Sequence, residues 1–396
     1  MNIKEIYSAI FLILISLTDF YLYRTLSISD ICLIFLAIIV IYKRPQKIYQ
    51  QSLIFTGIAI FGLFIGMVSN NAIQYRSFFA SLAICWIVGL FSKINLKIYE
   101  KINFGRVINL VLTTISFFTL IDLIYIYLFK SSLNISGLYG NEARAFTGYY
   151  TTGSEIIRPC GLYPEPGDNT SIIAIFISLK IYLTQKFNLK YFSKGNIPIL
   201  LGMISIMSSQ STLGTLTLIL IILYFIWEKT RKSIFLLNLI KKFKIKIIRI
   251  KKKDLALTII FLFIIIFAIF FTLPRIASKL AASGSIDITR TLILIYIFDL
   301  SRGVIPVLLG TSFEVPNFLI NSMSQFINLF YQFGIFSFIL FYVFLKPALL
   351  DKRRFLFLFI FIVFLSKLNI SSIPFWLALY FCQNEMQNKN LLFDKS

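Results

Sequence analysis

Histidine is absent from the 396-residue chain, so no imidazole can act as a catalytic base or ligate a metal. Cysteine is scarce, and Cys32, Cys85, Cys160 and Cys382 lack the spacing of a metal site. Acidic residues are also few, 17 against 39 Lys and Arg, and they form no cluster typical of a divalent-cation site. These absences count against a metal site, and no cofactor is expected.

Apolar residues, in contrast, make up 58% of the sequence, with 43 Phe and a mean hydropathy of +0.83. A soluble domain of this length could not bury so much apolar surface, so lipid must solvate much of it. The formal net charge of +22 would suit a nucleic-acid partner. The basic residues, however, lie in short clusters between apolar runs, as cytoplasmic loops do. The predicted partner is therefore the lipid bilayer and not nucleic acid.

Twelve apolar segments recur along the chain, most of them long enough to cross about 30 Å of hydrocarbon. They are residues 6–23, 26–42, 52–68, 73–91, 107–129, 170–184, 197–208, 212–227, 255–273, 325–345, 355–369 and 373–383. Backbone groups in lipid must be satisfied within the segment, so each is predicted to be a helix. The predicted fold class is all-α: a polytopic integral membrane protein with about 12 transmembrane helices, in which residues 1–396 form a single membrane domain.

The positions of Lys and Arg predict the orientation of these helices. Every second loop is basic, and five such loops hold 25 of the 39 basic residues: 43–51, 92–106, 185–196, 228–254 and 346–354. These loops are expected to face the cytoplasm, together with both termini. The loop 228–254 is either an amphipathic strip on anionic lipid or only a topology anchor. The first apolar run has no small-residue cleavage site and is expected to remain as a span.

Two loops on the opposite side are enlarged, 130–169 and 274–324, and extracytoplasmic chemistry is expected there. The first loop ends in the stretch RPCGLYPEPGDNTS, residues 158–171. Prolines on both sides stiffen the backbone at Glu165, and residues 168–170 are good N-caps for the next helix. A helix-entry turn explains one such cap, but it does not require Arg158 and Glu165 as well. The stretch is therefore predicted to be functional.

Arginine is the second signal in the external segments. Its guanidinium binds phosphate oxygens in a planar, bidentate way and keeps its charge, although an Arg near a membrane surface can also simply snorkel. The arginines on this side are Arg144 and Arg158 in the first loop, Arg290 and Arg302 in the second, and Arg76 near the outer end of the fourth span. Two Arg-bearing loops favour a phosphate-bearing lipid as ligand.

Charged and polar residues within the spans are candidates by default. Asp19 and Asp122 lie near the outer ends of their helices, where a solvated end is the expected reading, and Lys180 is expected to snorkel toward the cytoplasm. The stretch SSQSTLG, residues 208–214, is either a plain turn or a hydroxyl-rich wall of the site.

Together these motifs resemble the Wzy-type O-antigen and exopolysaccharide polymerases. The pattern R-x-x-G-L-Y-x-E-P runs from Arg158 through Glu165 to Pro166. SSQSTLG is similar to a Ser-rich turn that those proteins carry two spans later. Arg290, followed by LLGTSF and LFYQFGIFSF, is similar to their second loop and the span after it. The resemblance covers about residues 130–345 and is only generic before them.

The resemblance implies a metal-independent glycosyltransferase at the periplasmic face of the bacterial inner membrane. It would transfer a growing glycan from undecaprenyl pyrophosphate to a new lipid-linked repeat, with a separate chain-length regulator as partner. Arg158 and Arg290 are the expected cations for the leaving pyrophosphate, and Glu165 is the expected base, with Asp168 or Glu142 as alternatives. Substrate-binding roles are expected for Arg76, Arg144, Tyr163, Asp168 and Arg302.

Two rival functions share this layout. A lipid-linked oligosaccharide flippase would concentrate charged residues inside its helices, and this chain instead enlarges two external loops. The O-antigen ligase family typically carries a functional His before the span that follows the second loop. The corresponding stretch here, NSMSQFINLFYQFGI, has none, which counts against a ligase.

Overall fold

The computed structural model describes residues 3–17, 21–23, 26–45, 48–68, 75–94, 103–139, 145–149, 155–186, 197–211, 214–224, 308–310, 325–350, 354–368, 370 and 372–387. Helices dominate these ranges. The first six are α1 (Ile3–Ser16), α2 (Ile28–Lys43), α3 (Gln50–Val68), α4 (Tyr75–Ile94), α5 (Phe104–Phe129) and α6 (Pro166–Lys186). The later ones are α7 (Ile197–Ser208), α8 (Gly214–Tyr224), α9 (Gln325–Phe333), α10 (Phe336–Leu350), α11 (Arg354–Leu365) and α12 (Ile373–Gln387).

Strands are confined, among the described residues, to two antiparallel hairpins. In the first hairpin, β1 (Tyr21–Tyr23) pairs with β2 (Leu26–Ser27). In the second, β3 (Phe146–Tyr149) pairs with β4 (Glu155–Ile157), so that Phe146 lies opposite Ile157. A short 3₁₀ helix, Ile135–Tyr139, precedes β3. The second hairpin therefore belongs to the first enlarged loop and leads directly into residue 158.

The predicted segments are largely helical where the structure describes them, but several boundaries differ. The first helix stops at Ser16 instead of continuing to residue 23, and β1 follows it. The predicted span 325–345 is two helices, because Gly334 adopts the left-handed φ of 51° that breaks the helix. The sixth helix begins at Pro166, four residues earlier than predicted. The segment 255–273 lies outside the described residues.

Three described helices are long and apolar enough to cross a membrane: Gln50–Val68, Ser77–Ile94 and Phe104–Phe129. Shorter apolar helices accompany them, including Ile197–Ser208 and Gly214–Tyr224. The outward face of α2 is a stripe of exposed apolar side chains: Ile31, Ile34, Phe35, Ile38 and Ile41. Such surfaces indicate a membrane protein, because lipid solvates them at no cost. The helix lengths do not confirm the predicted count of about twelve spans.

The sixth helix is the centre of the described helices. Every residue from 169 to 183 is buried, and α5, α7 and α11 pack around the helix. A helix that is apolar all round belongs in the interior of a bundle. A second part of the core is aromatic, with Trp376 of α12 packing against Phe55 of α3 and Phe344 of α10. The candidate motif 158–171 therefore leads into the most buried helix described.

The contacts between helix ends fall into two groups. At one end, Ser16 lies against Tyr163 and the turn after α11 reaches the start of α6. At the other end, Lys93 stacks on Tyr49 with its ammonium 3.7 Å from the ring centroid, and Lys180 binds the backbone at the start of α5. We call the first end, which carries residues 158–171, the site end of the bundle.

Candidate functional site

Asp122, near the last turns of α5, anchors the first enlarged loop. Its side chain is 1% exposed. One carboxylate oxygen accepts hydrogen bonds from the Leu133 N–H at 2.8 Å and the Ser132 hydroxyl at 3.0 Å. The other accepts from the Cys160 N–H at 2.7 Å and the Gly161 N–H at 3.1 Å. The expectation of a solvated helix end was therefore wrong for Asp122, because the loop folds back over it. A buried carboxylate is stable here because donors satisfy both oxygens.

Gly161 is required by both its conformation and its neighbours. Its φ is +61°, and a Cβ at this position would lie 2.7 Å from the Thr119 hydroxyl oxygen and 3.2 Å from Thr119 backbone atoms. The absence of a side chain lets residues 160–161 approach α5 closely enough for their N–H groups to reach Asp122.

Arg158 lies directly after β4 and is largely buried, at 9% exposure. Its backbone N–H donates to the Ala145 carbonyl at 3.0 Å, which ties it to the base of the second hairpin. Burial and the charge of Asp122 raise the pKa of the nearby Cys160 thiol, and the charge of Arg158 lowers it. The carboxylates of Glu165 and Asp168 also raise this pKa, so these predicted residues gather around Cys160. The thiol is 1% exposed and therefore a protonated, inert side chain.

Tyr163 is buried, and its hydroxyl lies 2.7 Å from the hydroxyl oxygen of Ser16 at the end of α1. The Ser16 hydroxyl donates to the Ile13 carbonyl at 2.7 Å, so the tyrosine is the donor in this pair. The ring is 3% exposed and packs in the core, which leaves no exposed face for the predicted role in substrate binding.

The start of α6 differs from the predicted cap at 168–170. Pro166 is the first helical residue, a position where its missing N–H costs nothing, and Glu165 precedes it. The Asn169 N–H donates to the Glu165 carbonyl at 3.2 Å, which closes the first turn. Asp168, half-buried, therefore lies inside the first turn, where a negative charge is favourable next to the helix N-terminus.

Glu165 forms an ion pair with Lys367 on the turn between α11 and α12. The ammonium nitrogen lies 2.8 Å from the carboxylate oxygen, and the side chains are 15% and 16% exposed. The lysine stem passes over Gly167, where a Cβ would come within 2.8–2.9 Å of its terminal carbon and nitrogen atoms. The Lys367 N–H also donates to the Ser171 hydroxyl at 3.1 Å. The turn after α11 is thus bound to the first two turns of α6.

The turn SSQSTLG is packed against the same helix. A Cβ on Gly214 would lie 2.8 Å from the Cβ of Thr170, so α8 starts in direct contact with residue 170. Within the turn, the Ser211 hydroxyl accepts the Gly214 N–H at 3.3 Å, and the Ser209 hydroxyl donates to the Ile206 carbonyl at 2.7 Å. The described hydroxyls therefore serve the local backbone, as in a plain turn.

The stretches LLGTSF and LFYQFGIFSF, which also carry the resemblance, contact each other. The Ile335 N–H donates to the Leu308 carbonyl at 2.9 Å, and a Cβ on Gly334 would collide with the backbone of Leu308. Residues 308–310, the start of LLGTSF, therefore rest on the break between α9 and α10.

The predicted site residues divide into two sets. The structure describes Arg158, Tyr163, Glu165 and Asp168 and brings them together at the site end. Arg144, Arg290 and Arg302 lie outside the described residues, as does the alternative base Glu142; for Arg76 the helix backbone is described and the side chain is not. Within the described ranges, no group of three or more Cys, Asp or Glu residues is arranged to hold a metal ion.

Sequence reasoning missed two residues of this site, Asp122 as an anchor and Lys367 as a partner of Glu165. The signal for Asp122 was present, since an intramembrane carboxylate is a candidate by default. Lys367 carried a weaker signal, because it stands near the end of a predicted span and 202 residues from its partner.

Comparisons with known proteins leave this site to be interpreted from its own geometry. No protein-family model, curated protein or solved structure matches the chain.

Proposed function

We propose that the chain is a surface-polysaccharide repeat-unit polymerase. It transfers the growing glycan from undecaprenyl pyrophosphate to a new lipid-linked repeat unit at the periplasmic face of the inner membrane. The observation that carries this proposal is the packing of the RPCGLYPEPGDNTS stretch against the SSQSTLG turn, through Thr170 and Gly214, with the buried Arg158 beside it. Two stretches that resemble the polymerases separately in sequence thus belong to one end of the bundle.

The proposed topology has about twelve spans with both termini in the cytoplasm. Its support is the pairing of helix ends. If the basic loops are cytoplasmic, five parts of the chain should lie on the periplasmic face: the ends of α1 and α5, the starts of α6 and α8, and the turn after α11. These same parts contact one another at the site end. The enlarged loops 130–169 and 274–324 would then both be periplasmic.

The proposed chemistry is an attack by an acceptor sugar hydroxyl on the anomeric carbon of the donor. The new glycosidic bond forms as the bond to the pyrophosphate oxygen breaks, and the electron pair leaves with the pyrophosphate. The guanidinium groups of Arg158 and Arg290 would balance that charge without a metal. Glu165 takes the hydroxyl proton. Arg76, Arg144, Arg302 and Asp168 would bind substrate, and a separate chain-length regulator would act with the enzyme.

Two of the buried charges within the described helices argue against the flippase. Asp122 is occupied by four loop donors, and Lys180 donates to the Gly105 carbonyl at 3.2 Å. Both side chains therefore hold the protein's own backbone, whereas a flippase needs charges that line an aqueous path.

The first experiment is deletion of the gene in its host, with the surface polysaccharide separated on a gel. A polymerase predicts that the ladder collapses to core plus one repeat. Loss of all surface repeats with polymerised lipid-linked glycan accumulating outside would instead identify a ligase. Single repeats trapped on the cytoplasmic face would identify a flippase.

Complementation of the deletion strain tests the arginines. Arg158→Ala and Arg290→Ala should each abolish polymer at an unchanged protein level, because each removes a cation that balances the leaving pyrophosphate. Arg106→Ala is the matched control, since Arg106 is exposed at the start of α5, at the opposite end of the bundle. A normal ladder from either site variant would refute that residue's role.

A further inference from the structure

The described residues of the turn between α11 and α12, which are 366–368, 370 and 372, are held more firmly than a simple helix connection requires. Gln325 at the start of α9 is 1% exposed. In the amide orientation that satisfies both of its groups, it donates to the Leu368 carbonyl at 2.8 Å and accepts the Ile370 N–H at 3.2 Å. The Gln325 N–H also donates to the Ser366 carbonyl at 2.7 Å. The indole N–H of Trp376 donates to the Ile370 carbonyl at 2.6 Å.

Lys367 is the charged residue that this turn presents to α6. Its own N–H is bound by Ser171, so its backbone is fixed from both sides, by α6 and by α9. Gly167 provides the space for its stem, since even a Cβ there would meet the lysine's terminal atoms at 2.8–2.9 Å. The ammonium group then reaches the Glu165 carboxylate at 2.8 Å. The hydrogen bond to Ser171 and the space over Gly167 thus fix the position of the lysine next to Glu165.

The carboxylate is fixed on its own side as well. Prolines flank Glu165 on both sides, and the Glu165 carbonyl accepts the first hydrogen bond of α6. The side chains of the pair are about one-sixth exposed, so they are not sealed from solvent, and water screens the pair less than at an open surface. A carboxylate held between a rigid backbone and a fixed cation has the preorganised geometry that a reacting group needs.

We infer that Lys367 is a positioning residue, which holds the carboxylate of Glu165 correctly oriented for the acceptor hydroxyl. The inference rests on the proposed polymerase function and assigns a role to a turn that is far in sequence from both enlarged loops. The reacting group is the carboxylate, and Lys367 acts only through it. A purely structural ion pair would connect the same elements, and exchanging the positions of its two charges would leave activity unchanged.

Lys367→Met and Lys367→Arg separate charge from packing. Methionine keeps an unbranched stem over Gly167 and loses the ammonium group, whereas arginine keeps the cation. The probe is the lipid-linked single repeat extracted from the deletion strain, added to membranes that contain each variant. Lys367→Met should lower kcat about 10-fold or more with KM nearly unchanged, and Lys367→Arg should stay within about 3-fold of the wild type.

The pH profile supplies a readout that a structural role would not change. An adjacent cation favours the ionised carboxylate, so its removal makes the carboxylate bind its proton more readily. The acid limb of kcat against pH should therefore move to higher pH in Lys367→Met. Lys346→Met is the matched control, because Lys346 is an exposed lysine on α10 away from Glu165, and it should leave both rate and profile unchanged.

The exchanged pair, Glu165→Lys with Lys367→Glu, distinguishes positioning from structure directly. It restores an ion pair between the same elements, so the protein should accumulate normally, but it should make no polymer because the carboxylate has moved. Polymer from the exchanged variant, or wild-type kcat and pH profile in Lys367→Met, would overturn the inference. If the exchanged variant does not accumulate, the Met and Arg variants decide the question alone.

Failure of the proposed function would look different. In that case the deletion strain would keep its ladder or accumulate a different intermediate, whatever residue stands at position 367. A strain that depends on the protein for its ladder, but tolerates Lys367→Met, would contradict only the inference about Lys367.

Discussion

Replacement of Asp122 by Asn should loosen the loop that carries Arg158, by an amount that the structure allows us to work out. The carboxylate accepts four hydrogen bonds, three of them from backbone N–H groups: Leu133, Cys160 and Gly161. The asparagine side chain has one acceptor oxygen and one NH2 group. Even in the better of its two orientations, the NH2 group faces a backbone N–H that the carboxylate had bound, and leaving that N–H unsatisfied costs about 1–3 kcal/mol. The bonds that remain lose their charge assistance, and charge-assisted bonds are roughly twice as strong as neutral ones. We expect a total loss of at least about 2 kcal/mol.

Alkylation of Cys160 measures this loss at the loop itself. The thiol is 1% exposed and its pKa is raised by burial, so it reacts only when the loop opens. In a variant with the other three cysteines replaced by Ala, a loss of 2 kcal/mol should raise the maleimide labelling rate about 30-fold, since each 1.4 kcal/mol is a factor of ten.

The control for Asp122→Asn is Thr113→Ala, an exposed position on the same helix, which should change labelling less than about 2-fold. Equal labelling rates for Asp122→Asn and the parent would refute the argument that this carboxylate holds the loop in place.

Two further predictions concern the stability of the same end of the protein, measured as thermal unfolding in detergent. Gly161→Ala should destabilise by about 1–2 kcal/mol from the left-handed φ of +61° alone, with more from the contact to Thr119. Gly57→Ala in α3, where nothing lies within 4 Å of the added Cβ, should be neutral or stabilising by up to about 1 kcal/mol; equal losses in the two variants would contradict the steric argument. Tyr163→Phe and Ser16→Ala should each cost about 1 kcal/mol, and the double variant should cost less than their sum because both remove the same 2.7 Å hydrogen bond. Strictly additive losses would show that the bond contributes nothing.

The positions of the helices could be predicted well from the sequence alone. Helices α2, α3 and α5 lie within a few residues of the predicted segments, because an apolar run must satisfy its backbone within itself wherever it is buried. The errors fall where a local conformation ends the run. Gly334 breaks an apolar segment that hydropathy treats as continuous, and α1 stops at Ser16 although apolar residues follow.

The site was predicted in part. The stretch 158–171 stood out because stiff and charged residues are rare in an apolar chain, and it does lie buried at the mouth of the central helix. The residues that hold it could not be found in the same way. Asp122 was interpreted as a solvated end, because its position on α5 does not reveal that a loop 38 residues later covers it. Lys367 carried only a weak local signal, because its function depends on the side chain that it meets.

The sequence by itself determined that this is a helical membrane protein, since hydropathy and helix formation depend on residues close together in the chain. It also marked the segment where charged groups are concentrated outside the helices. Only the tertiary structure decided which groups meet there: Asp122 with the N–H groups of residues 160–161, Glu165 with Lys367, and Thr170 with Gly214. These pairs join residues 38 to 202 positions apart. Their formation depends on how α5, α6, α8 and α11 pack, and no short stretch of sequence encodes that packing.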